Sequence, residues 1–173
     1  FDLDRVQPSG AVFDRERLDW LNGQWIRRLP DAELVDRALP FLERSMADAA
    51  AGGASVRRPD AQAVTDLLPL VRERLPRLDA MGPMVDFLFL DDLVVAPSLV
   101  IPKRWDAPTT VEGLRAARVA IAELGEVSFE AEPLEAALRS VCEAHAWKPG
   151  DLFMAMRVAI TGRTATPPLF DTM

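Results

Sequence analysis

Apolar residues recur three and four places apart along most of this chain, and that period limits its fold more than any other feature. Leu18, Leu21, Trp25 and Leu29 line one side of a predicted helix over 14–29, with Asp14 as its N-cap after Phe13. Leu34, Ala38 and Leu42 mark a second helix, capped by Asp31 and kinked or stopped at Pro40. Pro59 and Asp60 open a third, with its stripe at Val64, Leu67, Leu68, Val71 and Leu75. Pro76 ends that run and leaves a corner around Arg77; a short helix is predicted over 84–89. Thr109-x-x-Glu112 has the form of a capping box, and Gly125 can terminate the helix it opens, lined by Leu114, Ala117, Ile121 and Leu124. Pro133 suits the first turn of the next helix, with Leu134, Leu138 and Val141 inward. A last helix over 150–159 leads into the loop TGRTATPP. Tyr is absent and aromatics are 7% of residues, so the core must rest on Leu, Val and Ala. Helices packed on helices are the expected result, an all-α fold.

Two stretches break the pattern. Residues 47–58 contain Gly52 and Gly53 and lose their bulky side chains, as a helix end and loop do. Residues 91–108 hold three prolines and no helical period, which marks them as the join between two helical subdomains.

The chemistry excluded is as informative. Cys142 is the only cysteine and His145 the only histidine, so neither an internal disulfide nor a Cys/His zinc site is possible. The single cysteine fits a reducing cytoplasm. No apolar run approaches the roughly 20 residues that span a bilayer, so no membrane is expected among the partners. The opening FDLDRVQ is charged and lacks a signal-peptide pattern. The missing initiator Met points to a piece of a longer chain. There is no GxxxxGK[ST] phosphate loop and no GxGxxG. His145, in EAHAWKPG, is assigned to packing or a helix end rather than catalysis, and Asp91-Asp92 to a turn or cap rather than a metal. The net charge of −7 argues against a strong general nucleic-acid binder. A selective RNA reader tolerates it if its cations share one surface. The acid is uneven: Val111–Ala146 holds seven Glu against three Arg, as a solvated outer face would.

Three stretches, RVQPSGAVFDRERLDWLNGQWIRRL at 5–29, LLPLVRERLPRLDAMGPMVDFLF at 67–89 and WKPGDLFMAMRVAITGRTATPPLF at 147–170, resemble the C-terminal half of bacterial-type glutamyl-tRNA synthetases, in that family's order. The resemblance implies the end of a stem-contact region at 1–29 and two anticodon-binding helical subdomains at 30–96 and 97–173. It implies a ligase that couples glutamate to its tRNA using ATP and Mg2+ on a separate catalytic domain, whose HIGH-like and KMSKS-like motifs are absent here. This chain itself is then expected to be no enzyme and to need no cofactor. Its partners would be tRNA(Glu) and its own catalytic domain, and it would act as a monomer. Because family members continue past the PPLF segment, Met173 is expected to be a truncated or disordered end.

The resemblance also implies site residues. Arg77 matches an arginine against the third anticodon base. Guanidinium only donates hydrogen bonds. Cytosine, which ends glutamate anticodons, offers acceptors on its pairing edge, whereas the guanine of glutamine anticodons places N–H donors there. Arg157 and Thr166 match residues beside the anticodon bases, Pro167 and Leu169 an apolar wall, and Arg139 an arginine facing the RNA. Phe170 is assigned to the core. Arg163 is left between a phosphate contact and a solvated loop, and Arg57 and Arg58 between phosphate contact and solubility. Trp20 and Trp25, at helical spacing, are assigned to the core rather than to base stacking; Asn22-Gly23 is assigned to helix packing near the RNA stem. The alternative is a helical scaffold that docks a partner protein on its acidic face.

Overall fold

The computed structural model describes residues 13–125 and 129–173. Residues 5–12 of the first motif and residues 126–128 of the acidic stretch therefore lie outside the described residues. Among the described residues the fold has nine α-helical segments: α1 Arg15–Arg28, α2 Asp31–Ala51, α3 Ala61–Val71, α4 Met81–Val85, α5 Pro97–Val100, α6 Ala107–Leu124, α7 Ala131–Ala144, α8 Pro149–Thr161 and α9 Leu169–Thr172. Extended pairing among the described residues is confined to one antiparallel bridge, Val56 with Leu90. The all-α expectation is met.

Two cores form. In the first, α2 packs on α3 and α4. Leu34, Leu42, Val64, Leu75 and Val85 are fully buried there. In the second, α6 packs on α7 and α8, and α5 on α8. Leu138, Cys142, Leu152 and Leu169 fill it, with Trp105 and Trp147 along its edge. Burial of each such leucine stabilises the fold by about 1.5–3 kcal/mol. The tightest approach in the first core is α4 on α2: a Cβ on Gly82 would fall 2.5 Å from Ser45 Cβ.

Most sequence signals landed where the stripes placed them. Asp14 and Asp60 cap α1 and α3 by accepting from the amides of Arg17 and Ala63. His145 caps the C-terminus of α7, its ring stacked 4.2 Å from Trp147. Asp91 closes a turn, accepting from the Ser55 hydroxyl.

Other expectations need correction. Pro40 neither stops nor ends α2, which runs 21 residues through it. Its ring faces solvent, and Leu34, Val35, Ala38, Leu42 and Met46 anchor the helix on both sides. Burial of those side chains outweighs one lost backbone donor. Asp31 is not the cap of α2 but lies in its first turn, free to pair with Arg72. The helix expected over 84–89 begins at Met81 and tightens to a 3-10 turn over Asp86–Phe89. The cap of α6 is Asp106, not Thr109: its carboxylate accepts from the Thr109 amide, and Pro108 occupies the first turn. Asp caps better than Thr, and Pro suits that first turn, so the helix starts earlier.

The largest correction concerns α1. Trp20 is 60% and Trp25 66% exposed, and Leu18 and Leu21 are also open. Only Gly23 and Ile26 of the helix are buried. The apolar period was real, but it faces outward from the described core. Arg28 lies over the Trp25 ring at 5.6 Å.

Candidate nucleic-acid interface

The first half of the site is the corner after α3. Leu75 must enter the core and Pro76 has no amide to continue a helix, so the chain tightens to a 3-10 turn at Arg72–Arg74 and swings out at Arg77. Helix α1 fixes this corner. Asn22 Nδ2 donates to the Pro76 carbonyl at 2.9 Å, and Arg27 Nη1 donates to the Glu73 carbonyl at 2.9 Å. The α1 backbone comes so near at Gly23 that a Cβ there would lie 3.4 Å from the Leu75 carbonyl oxygen. The Asn22-Gly23 pair thus packs against the Arg77 corner.

Three of the corner's cations have carboxylates. Arg72 Nη2 lies 2.5 Å from Asp31, and Arg27 Nε 3.8 Å from Glu73. Arg77 Nε donates to Asp79 at 2.9 Å, while its Nη1 reaches Asp19 at 3.3 Å. Asp79 first, and Asp19 after it, raise the Arg77 proton affinity above its ordinary value. Arg77 is half exposed, and these bonds leave its Nη2 edge without a hydrogen bond among the described residues. Arg74 is exposed and has no ion pair among the described residues.

The second half is the turn after α8. Gly162 ends that helix in the left-handed region at φ 72°, where a side chain would be strained, and its amide donates to the Val158 carbonyl. Buried Thr161 donates to the Arg157 carbonyl and accepts from the Arg163 amide. Arg157 then locks the far side of the turn. Its Nη1 donates to the Thr166 hydroxyl at 2.7 Å, the Pro167 carbonyl at 2.9 Å and the Thr166 carbonyl at 3.3 Å. Burial, and then the charge of Arg74, hold its proton affinity below the ordinary guanidinium value.

Of the expected wall, Pro167 is buried and Leu169 is only 4% exposed, inside the second core. Both seat the turn, and neither stands as an open face. Phe170 packs edge-on against Phe153 at 5.0 Å, as assigned. Arg139 pairs with Glu135 at 2.5 Å, one helical turn back, and lies over the Phe153 ring.

Arg163 is not a solvated loop arginine. Its guanidinium donates to the Pro83 carbonyl and to Asp86 at 2.7 Å, so it clamps the turn onto the first core. Asp86 is nearly buried. Arg163→Ala strands that carboxylate, which costs 3–5 kcal/mol for fully buried pairs and about 1–2 kcal/mol at this exposure. A fall in melting temperature of roughly 2–6 °C is expected by calorimetry. An unchanged melting temperature would show that the two cores hold together without the clamp.

The sequence reading singled out Asn22 but not its partner, the Pro76 carbonyl, and it missed the Arg27 bracket and Asp86.

The family model described as an anticodon binding domain matches residues 33–173. The chain is 45% identical to the glutamate–tRNA ligase of Roseiflexus castenholzii over its whole length, covering 33% of that protein. It is 39% identical to the glutamate–tRNA ligase of Chloroflexus aurantiacus, covering 34% of it. The chain thus spans about one third of the length of these curated relatives. A crystal structure of a glutamate tRNA ligase from Elizabethkingia meningosepticum shares the fold, with a TM-score of 0.64 at 24% identity over all of this chain and 32% of that one. With 141 of its 173 residues inside the matched span, this chain belongs to the anticodon-binding domain family.

Proposed function

We propose that the chain recognises the anticodon loop of tRNA(Glu) as the RNA-reading part of a glutamate–tRNA ligase. The observation that carries the reading is that Arg163 ties the Arg157–Thr166 turn of the second core to Pro83 and Asp86 of the first, the core from which the Arg77 corner projects. Single-stranded loops are read by splaying bases out and bonding their exposed edges, which needs donors held rigidly at a concave junction. Arg77, Arg157 and Thr166 are the direct readers in this proposal. Pro167 and Leu169 hold the turn behind them, and Arg139 lines the approach along α7. On this reading 1–29 ends a stem-contact region, and 30–96 and 97–173 are the two anticodon-binding subdomains.

Glutamate ligation would occur on the part of the relatives that this chain does not span. ATP and Mg2+ would belong to that part as well. The open apolar face of α1, with Phe13, Leu18, Leu21 and Trp25, is the natural seat for that remainder, which is about twice the length of this chain in the relatives. No helix among the described residues is long and apolar enough to cross a membrane. A monomer acting in the cytoplasm fits this reading.

Titration of the chain with an RNA hairpin carrying the glutamate anticodon loop tests it. Saturable binding that exceeds binding to a scrambled loop is expected. Equal affinity for both loops sinks the reading. The rival, a scaffold for a partner protein, has in its favour the exposed Val111 and Val119 on the outer side of α6. Failure to bind any RNA hairpin would leave that rival standing.

A further inference from the structure

Leu75 and Arg77 both have extended backbones, and the step between them joins two 3-10 turns, Arg72–Arg74 and Leu78–Ala80. Such a step has no helical ladder to set its course, and Pro76 has no amide to contribute. The peptide plane that leads into Arg77 consists of the Pro76 carbonyl and the Arg77 amide. Among the described residues that carbonyl accepts one hydrogen bond, from Asn22 Nδ2 at 2.9 Å, 54 positions earlier in the chain. Asn22 does not act alone. Asp19, Asn22, Gly23, Ile26 and Arg27 recur at helical spacing, so one face of α1 meets the corner. Asp19 reaches the Arg77 guanidinium at 3.3 Å, Gly23 brings the backbones together, and Arg27 holds the Glu73 carbonyl at 2.9 Å. A helix seated for burial alone turns its apolar side inward. Apart from Ile26, α1 leaves its large apolar side chains open and turns hydrogen-bonding groups onto the corner.

We propose that α1 belongs to the base-reading apparatus, with Asn22 as a positioning residue for the discrimination made by Arg77. Asn22 makes no contact of its own with the base. It fixes the peptide plane at the root of Arg77, while Asp19 on the same face fixes the guanidinium at the tip. Telling one base edge from another requires donors held to within about half an ångström. A loop ending in G binds well only if Arg77 shifts away from the opposing N–H groups. That shift turns the Pro76 carbonyl off Asn22. The bond therefore adds its strength to the cost of the wrong base and nothing to that of the right one. A neutral hydrogen bond moves such an equilibrium by roughly 2- to 10-fold, which bounds the share of the discrimination that Asn22 contributes. This inference rests on the RNA reading above.

The test measures the ratio of affinities for two hairpins that differ only in a C or a G at the third anticodon position. Asn22→Ala should shrink that ratio roughly 2- to 10-fold, chiefly by letting the G loop bind better. Alanine is a better helix former than asparagine, so α1 persists in the variant. Asn22→Gln keeps an amide donor on a longer stem and should recover part of the lost ratio. Asp106→Ala, which removes the N-cap of α6 in the second core, is the control for stability alone. It should lower the melting temperature by a few degrees and leave the ratio unchanged. In an Arg77→Gln background Asn22→Ala should leave both affinities where they are, because Asn22 acts through Arg77; a merely structural Asn22 would weaken both there as well. A ratio unmoved by Asn22→Ala, or equal weakening of both loops with and without Arg77, overturns the positioning role and leaves the RNA reading intact. Equal binding of the glutamate anticodon loop and a scrambled loop by the unaltered chain overturns both.

Discussion

Arg77→Gln is expected to erase most of the preference for anticodons ending in C over those ending in G. The comparison is between two hairpins that differ only at the third anticodon base. Arg77 presents donors alone, and Asp79 and Asp19 hold its plane from two sides. Its Nη2 edge therefore meets a base in one orientation, as a pure donor pair. Cytosine can accept there; guanine would oppose N–H to N–H and leave them unpaired. A glutamine amide carries one donor group and one acceptor, and it rotates to satisfy either base. Base-edge hydrogen bonds of this kind discriminate by roughly 5- to 150-fold. The variant should bring the ratio near unity mainly by strengthening the guanine loop. In a full-length ligase the same change should raise charging of glutamine tRNA relative to glutamate tRNA. A ratio that stays the same while both affinities fall would make Arg77 a phosphate contact and remove it from base recognition. Asp19→Asn provides a second check. It loosens the plane but keeps the donors, so it should reduce the ratio without reversing it.

How much of this was legible beforehand depended on the kind of interaction. The stripes at Leu34, Ala38 and Leu42 and at Val64 through Leu75 found the first core because burial imposes its period locally. The same logic misread α1. A stripe reports that a helix has an apolar side, and it does not report what covers it; Trp20 and Trp25 point away from the described core. Pro40 misled because a local rule about one amide competes with burial of five side chains along α2. The site residues Arg77, Arg157 and Thr166 could be named from motif resemblance. Their arrangement could not, since it depends on contacts between residues far apart in sequence: Asn22 with Pro76, Arg27 with Glu73, Arg163 with Asp86. Leu169 shows the limit most clearly. A match to an apolar residue near RNA says nothing about whether its side chain faces the RNA or the core, and here it lies in the core.

Arg157→Ala should do more damage than any other single change at the proposed interface, because Arg157 holds the turn that presents Thr166 and keeps donors of its own free among the described residues. On the protein side it leaves the Thr166 hydroxyl, the Thr166 carbonyl and the Pro167 carbonyl without their shared donor. Pro167 is buried, so water cannot readily replace that donor. Losing a charged donor to partly buried acceptors costs about 1.5–3 kcal/mol, and the exposed part of the side chain argues for the lower end. The melting temperature should fall by roughly 3–6 °C. On the RNA side, Thr166 loses its fixed position and the RNA loses the donors of Arg157, so affinity for the anticodon hairpin should fall at least tenfold at physiological salt. Arg157→Lys separates the two roles. A lysine keeps the charge but has no planar fork to hold the turn. It should retain the salt dependence of binding while melting nearly as low as the alanine variant. If Arg157→Lys matched the unaltered chain in melting temperature, the turn would not need the fork. If Arg157→Ala bound the hairpin at full strength, the junction of the two cores would not be where RNA docks.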